Sequence, residues 1–203
     1  MDMYKMNALG LFSGIGGFEL GLKEAGFNIS KLCEMEPECI KVLNKNFKGV
    51  DVIKDVKHIN NTVGKFDLIC GGFPCTDISI AGKNKGGING EKSGLWFEFL
   101  KTINEVRPKY ALVENVFGLR SRGLEELLHG LSQIGYDAEY TTFDTQYFGS
   151  AQRRRRIYIL AVRDGIPPEA DIFHNKQRAS NECKREVQFI DKSRQWDFEA
   201  GGR

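Results

Sequence analysis

The chain has 203 residues, of which 41% are hydrophobic and 28% charged, with a formal net charge of +2. That length suits one domain with a real core, and the apolar content excludes an intrinsically disordered chain. No apolar run approaches a membrane span, Met1–Met6 lacks a secretion signal, and five cysteines without Cys-x-x-Cys spacing argue against a disulfide framework or a zinc site, so a cytoplasmic protein with no metal is expected.

Met6–Phe12 reads as a short buried strand running into Ser13-Gly14-Ile15-Gly16-Gly17. A helix over Phe18–Ala25 follows and Gly26 ends it. Asn28–Cys33 is a second strand, followed by Glu34-Met35-Glu36-Pro37. Pro37 suits the first turn of a helix that runs to about Asn46. Val50–Ile53 is a third strand with Asp55 beyond it, and Phe66–Cys70 a fourth that opens into Gly71-Gly72-Phe73-Pro74-Cys75. Thr76–Ser93 is polar and glycine-rich, the composition of a mobile loop. Leu95–Val106 is helical, with Pro108 just past it. Tyr110–Val113 is a fifth strand ending at Glu114-Asn115-Val116. Leu124–Ile134 is an amphipathic helix closed by Gly135, and Tyr136–Phe143 and Arg156–Val162 are the last strands. After Gly165 the pattern weakens, and Pro167-Pro168 reads as a boundary between a domain over 1–165 and a polar tail over 166–203.

Strands alternating with helices predict an α/β fold with a mostly parallel, twisted sheet flanked by helices. Ligands of such sheets bind at the carboxyl ends of the strands. Phe12–Gly17, Glu34, Asp55, Cys75 and Glu114 all fall at or just after a predicted strand end. The glycine turn lets backbone approach a ligand closely and leads into a helix N-terminus. Glu19 stands where a Gly-x-Gly-x-x-Gly fingerprint would need its third glycine, which favours a nucleoside-type cofactor over a dinucleotide. Glu34, twenty residues after Gly14, stands where an acid bonds ribose hydroxyls.

Cys75, in a turn after a buried strand, is either a structural thiol or a nucleophile activated by backbone dipoles. Glu114, next to Ala111-Leu112-Val113, is a candidate acid or hydrogen-bond donor. Within Gln152-Arg153-Arg154-Arg155-Arg156, residues Arg154 and Arg156 alternate and should share a face toward the cleft. Arg153 and Arg155 would point elsewhere, toward phosphates.

Taken in order, Phe12-Ser13-Gly14-Ile15-Gly16-Gly17, Glu34, Asp55, Gly72-Phe73-Pro74-Cys75, Glu114-Asn115-Val116 and Gln152-Arg153-Arg154-Arg155-Arg156 resemble the motifs of the C5-cytosine DNA methyltransferases. The resemblance covers about residues 8–163, and the stretch from Thr76 to Gly118 is most similar to small phage or prophage members. It implies the Rossmann-like class I methyltransferase fold and S-adenosylmethionine as cofactor, with S-adenosylhomocysteine as product. Phe12, Gly14, Gly16, Glu34, Met35, Asp55 and Pro74 would line the cofactor pocket. Glu34 would hold the ribose, Asp55 the adenine amino group, and Phe12 would stack on adenine. Cys75 would attack C6 of a flipped cytosine, Glu114 would bond N3 and the exocyclic amine, Arg156 would bond O2, and Arg154 would position base and thiol. Ser79, Lys83, Asn84, Lys85, Arg153 and Arg155 would lie along double-stranded DNA.

Family members also carry a target-recognition region after the arginine motif and a closing Gly-Asn segment. Neither is present in the 203 residues. The resemblance therefore implies either a monomer working alone or a chain complemented by a second one. Two related readings share the same motifs: an RNA cytosine-C5 methyltransferase, and an inactive DNA-binding subunit that regulates a partner.

Overall fold

In the computed structural model, residues 5–59, 65–74, 95–166 and 188–189 are described. β1 (Asn7–Leu11), β2 (Asn28–Cys33), β3 (Asp51–Ile53), β4 (Leu68–Gly71) and β5 (Tyr110–Val116) pair in parallel. β6 (Tyr136–Asp144) and β7 (Arg155–Arg163) complete the sheet with β8 (Gln188–Phe189), in the order β3-β2-β1-β4-β5-β7-β6-β8. β7 runs antiparallel to both neighbours, β5 and β6. The mostly parallel sheet expected from the sequence is present. β8, on the edge of β6, falls in the stretch read as a tail.

Two layers of helices enclose the sheet. α1 (Gly17–Glu24) and α2 (Pro37–Asn46) place Leu22, Leu43 and Phe47 on one face, against Ala8, Leu68 and Leu112. α3 (Leu95–Val106) and α4 (Leu124–Gln133) cover the other, against Leu9, Ile69, Val113 and Ile159. The alternation of Ala8 against Leu9 and of Leu112 against Val113 is the period-two pattern of strands buried on both sides. α3 buries Trp96, Phe99, Ile103 and Val106, spaced three and four apart, as an inward stripe. Trp96 and Phe99 are at most 1% exposed, and each contributes roughly 1.5–3 kcal/mol from burial. α2 begins on Pro37, whose missing N–H costs nothing at a first turn. α4 is followed by Gly135 at φ +79°, a left-handed position suited to glycine.

The strand order places the functional region. The chain moves outward from β1 through β2 to β3, then crosses back to β4 on the other side of β1. The carboxyl ends of β1 and β4 therefore flank a topological switch point, where open α/β sheets bind ligands. Their ends lie unusually close. A Cβ at Gly71 would sit 2.0 Å from the Leu11 carbonyl oxygen, so β4 can end there only on glycine.

Candidate active site

The glycine turn leaves β1 through Phe12 at φ +53°, a left-handed conformation rare for an aromatic residue. Phe12 is half-buried, with its ring stacked on Phe99 at 6.2 Å. Gly14 (φ +53°) faces open space and donates its N–H to Glu34 Oε2 at 2.7 Å. Glu34 Oε1 accepts from Glu36 N at 2.8 Å. Two backbone N–H groups thus hold the carboxylate, each using one lone pair of its oxygen and leaving another for a ligand hydroxyl. Gly16 serves a different purpose: a Cβ there would strike Phe47 at 2.5 Å, so glycine lets the turn settle on α2. Asp55 accepts from Lys57 N at 3.0 Å and caps a short 3₁₀ turn, Val56–His58. Met35 is 75% exposed. Glu34, Met35 and Asp55 follow the adjacent strands β2 and β3. An open glycine backbone beside an anchored, half-free carboxylate fits the nucleoside end of S-adenosylmethionine.

A cleft of about 610 Å³ opens beside this turn. Ser13, Gly72, Glu114, Arg154 and Arg156 line it. Glu114 was expected at the end of a strand, and β5 continues past it to Val116. The cause is β7: its antiparallel pairing, Glu114 with Tyr158 and Val116 with Arg156, extends β5 past the point where its apolar pattern stops. Glu114 Oε1 meets Arg156 Nε at 3.0 Å, with both side chains about three-quarters covered. Burial pushes the Glu114 carboxyl above its ordinary value, while the nearby Arg156 and Arg154 guanidiniums act against that rise. Gly72 makes room for this carboxyl, since a Cβ there would lie 2.6 Å from Glu114 Oε2.

The alternation of the arginine run separates its side chains. Arg154 and Arg156 line the cleft. Arg155 lies over the Phe117 ring at 4.0 Å and reaches Thr142 Oγ1 at 3.4 Å. Arg153 pairs with Asp144 at 3.3 Å while remaining 75% exposed. Asp144 also accepts from Arg154 N at 3.1 Å and Gln146 N at 3.3 Å. Burial alone would raise its carboxyl, but these donors together hold it below its usual value. It pins the approach to β7.

Pro74 is exposed at the end of the described segment. Cys75, Ser79, Lys83, Asn84 and Lys85 lie outside the described residues. Phe73, just before them, is buried at 3% exposure. Its carbonyl accepts from Asn115 Nδ2 at 3.2 Å, and Asn115 Oδ1 accepts from Val116 N at 2.8 Å. Asn115 thus ties the chain leading into Cys75 to the strand that carries Glu114. Sequence reasoning gave it no separate role, because a buried amide on the opposite face from Glu114 has no local signature. Cys33 and Cys70 are buried, which pushes Cys33 up to about 12 and Cys70 well above the usual thiol range. Neither is a reactive thiolate near neutral pH.

Aromatic rings close another side of the cleft. Tyr158 meets Phe18 edge-on at 6.1 Å and Phe143 at 5.4 Å, and Phe143 meets Phe148 at 5.9 Å. Phe148 is 70% exposed. These rings come from α1, β6, the turn after β6, and β7. Their convergence depends on tertiary pairing, so no sequence motif announced it. Among the described residues, no three His, Cys, Asp or Glu side chains are grouped to hold a metal, and no helix is long and apolar enough to cross a membrane.

The family model for C-5 cytosine-specific DNA methylases matches residues 6–198. The chain is 35% identical to the type II methyltransferase M2.BsuMI of Bacillus subtilis, over 95% of this chain and 51% of that enzyme. It is 33% identical to the type II methyltransferase M.Sau3AI of Staphylococcus aureus, over 85% of this chain and 49% of that one. The crystal structure of the S. pombe Dnmt2 methyltransferase superposes with a TM-score of 0.64 at 22% identity, covering 79% of this chain and 50% of that one. That likeness is one of fold. The chain spans about half the length of these curated relatives.

Proposed function

The chain belongs to the C-5 cytosine-specific DNA methylase family, and from that premise we propose that it methylates C5 of cytosine in double-stranded DNA, with S-adenosylmethionine as methyl donor. The observation that carries this reading is the Glu114 carboxyl. Burial pushes it toward its protonated form in the cleft, and Arg156 orients it at 3.0 Å. A carboxylic acid so placed can donate to a ring nitrogen while its carbonyl oxygen accepts from an exocyclic amine, which is the edge cytosine offers.

The chemistry needs a nucleophile at C6, because C5 of an aromatic pyrimidine is a weak nucleophile. Cys75, one residue beyond the exposed Pro74, takes that part. The buried thiols Cys33 and Cys70 are chemically unsuited to it. Its thiolate forms a bond to C6, and the displaced electron pair moves toward N3, where the Glu114 proton stabilises it. Arg156 and Arg154 hold the base in the cleft. S-adenosylmethionine supplies an electrophilic methyl group on a positively charged sulfur. The enamine-like C5 accepts that methyl, then loses its proton as the Cys75 thiolate leaves and the ring is restored. A base inside a duplex is out of reach of this cleft, so it must be rotated out of the stack, and the aromatic wall of Phe143, Phe148 and Tyr158 offers flat surfaces to receive it. Ser79, Lys83 and Lys85 are assigned to the DNA backbone on the strength of the family resemblance. Arg153, mostly exposed despite its Asp144 partner, is the arginine of the run best placed to join them.

The test is transfer of labelled methyl to mixed-sequence duplex DNA, followed by digestion to nucleosides. Label should appear in 5-methylcytosine and be absent with Cys75→Ser, while that variant still binds S-adenosylhomocysteine. Methylation by Cys75→Ser, or label in another base, overturns the assignment.

A further inference from the structure

One buried acid in the cleft has no part in the chemistry above. Glu19 lies on the first turn of α1, where an amphipathic surface helix would be expected to show a charge to solvent. Instead it is 0% exposed, and it is one of the residues that line the cleft. Neither carboxylate oxygen has a hydrogen-bond partner among the described residues, and the Ser13 hydroxyl beside it is also buried and unpartnered. Burial raises the Glu19 carboxyl above its ordinary value, with the Glu34 charge adding to the rise. Ser13 and Glu19's own amide draw it down without meeting hydrogen-bond geometry. An acid buried this way is costly unless something pairs with it.

The sheet has made room for it. A Cβ on Gly10 would lie 2.2 Å from Glu19 Oε1 and 2.9 Å from its Cδ and Cγ. β1 thus gives up a side chain at its carboxyl end so that a carboxyl from α1 can occupy the space. The acid does not cap the helix: Gly16 is the N-cap, and no side chain bonds there. It does not belong to a metal cluster, since no three candidate ligands group among the described residues. The remaining role for an unpaired carboxylate facing a ligand cleft is to receive a cation from the ligand. Two carboxylate oxygens and one hydroxyl give three acceptors, which matches the three donors of a primary ammonium.

Resting on the cofactor reading above, we propose that Glu19, with Ser13, is the seat of the ammonium group at the amino-acid end of S-adenosylmethionine. Glu34 then holds the ribose on one side of the glycine turn and Glu19 holds the opposite end of the molecule on the other. The turn itself spans between them. Gly10 is the complement of Glu19, and the two positions form a unit.

The experiment compares two ligands by calorimetry: S-adenosylhomocysteine, and 5′-methylthioadenosine, which keeps the nucleoside and thioether but lacks the amino-acid end. Glu19→Gln should weaken S-adenosylhomocysteine roughly ten- to a hundred-fold, the value of a charge-assisted hydrogen bond, and leave 5′-methylthioadenosine unchanged. Gly10→Asp combined with Glu19→Ala moves the carboxyl from helix to strand and removes the three nearest atoms that a side chain at position 10 would meet. It should recover most of the lost affinity, and it carries the test if Glu19→Gln fails to fold. Equal weakening of both ligands, or undiminished S-adenosylhomocysteine binding by Glu19→Gln, overturns the proposal and leaves the cofactor reading standing. A wild-type protein that binds neither ligand overturns the cofactor reading and the proposal together.

Discussion

Gly72→Ala separates folding from chemistry. The added methyl would lie 2.6 Å from Glu114 Oε2, about 0.8 Å short of ordinary contact, and 3.2 Å from the Glu114 carbonyl oxygen. The first contact is with the free end of a flexible side chain, which can turn away. The second asks the backbone for a few tenths of an ångström. Stability should therefore fall by about 1–2 kcal/mol, toward the low end for overpacking. For the reaction, the carboxyl would have to leave its position against Arg156 and move by nearly an ångström. A displacement of that size costs on the order of a hundred-fold in rate. S-adenosylhomocysteine affinity, assigned to Glu34 and Glu19 rather than to Glu114, should stay within a few-fold. Methyl transfer under single-turnover conditions, measured beside calorimetric cofactor binding and urea unfolding, reads all three. A folded Gly72→Ala protein with undiminished transfer would mean that the Glu114 position does not matter, and would refute the reasoning.

Asn115→Ala removes the bond to the Phe73 carbonyl and leaves that buried acceptor unpaired, so it should cost about 1–3 kcal/mol in urea unfolding and also slow methyl transfer. Tyr136→Phe removes the 2.7 Å bond from its hydroxyl to the Pro108 carbonyl. It should cost about 1 kcal/mol without slowing transfer, since Tyr136 lies at the opposite end of β6 from Asp144. The burial-raised carboxyls of Glu19 and Glu114 set the sign of a pH effect. A carboxyl raised on folding contributes stability that is fully present below its unfolded value and is lost as pH rises through its folded one. Wild type should therefore lose stability as pH rises above the ordinary carboxyl range, and Glu19→Gln should lose less. An identical pH slope in the two proteins would contradict the burial assigned to Glu19.

Much of the frame was legible because its signals are local. Pro37 marked the start of α2, and Pro108 stood just past the end of α3; the observed bounds of both helices agree with the expected ones. The turn after β1 was legible from its glycines, whereas the bond from Gly14 N to Glu34 was not. What was not legible depends on partners distant in the chain. Glu114 read as the end of a strand because the pairing that carries β5 on to Val116 is made by β7, about forty residues later. Glu19 stood out only as the residue in place of a third glycine, and its burial was not legible because the vacancy it fills is at Gly10, on another element. The aromatic wall needs α1, β6 and β7 assembled before it exists.

The pairing of β5 with β7 acts as a measuring rule across the chain. Arg156 reaches Glu114 because Val116 stands opposite Arg156 in the ladder, whatever lies between the two strands. Slipping β7 by one residue would turn Arg156 to the far face and bring Arg155 into its place. Evolution is therefore free to lengthen or shorten the stretch between residues 117 and 135, where α4 and its loops lie, but not the ladders that β7 makes with β5 and β6. Among related sequences, insertions and deletions should gather in that stretch and be absent from Arg155–Arg163.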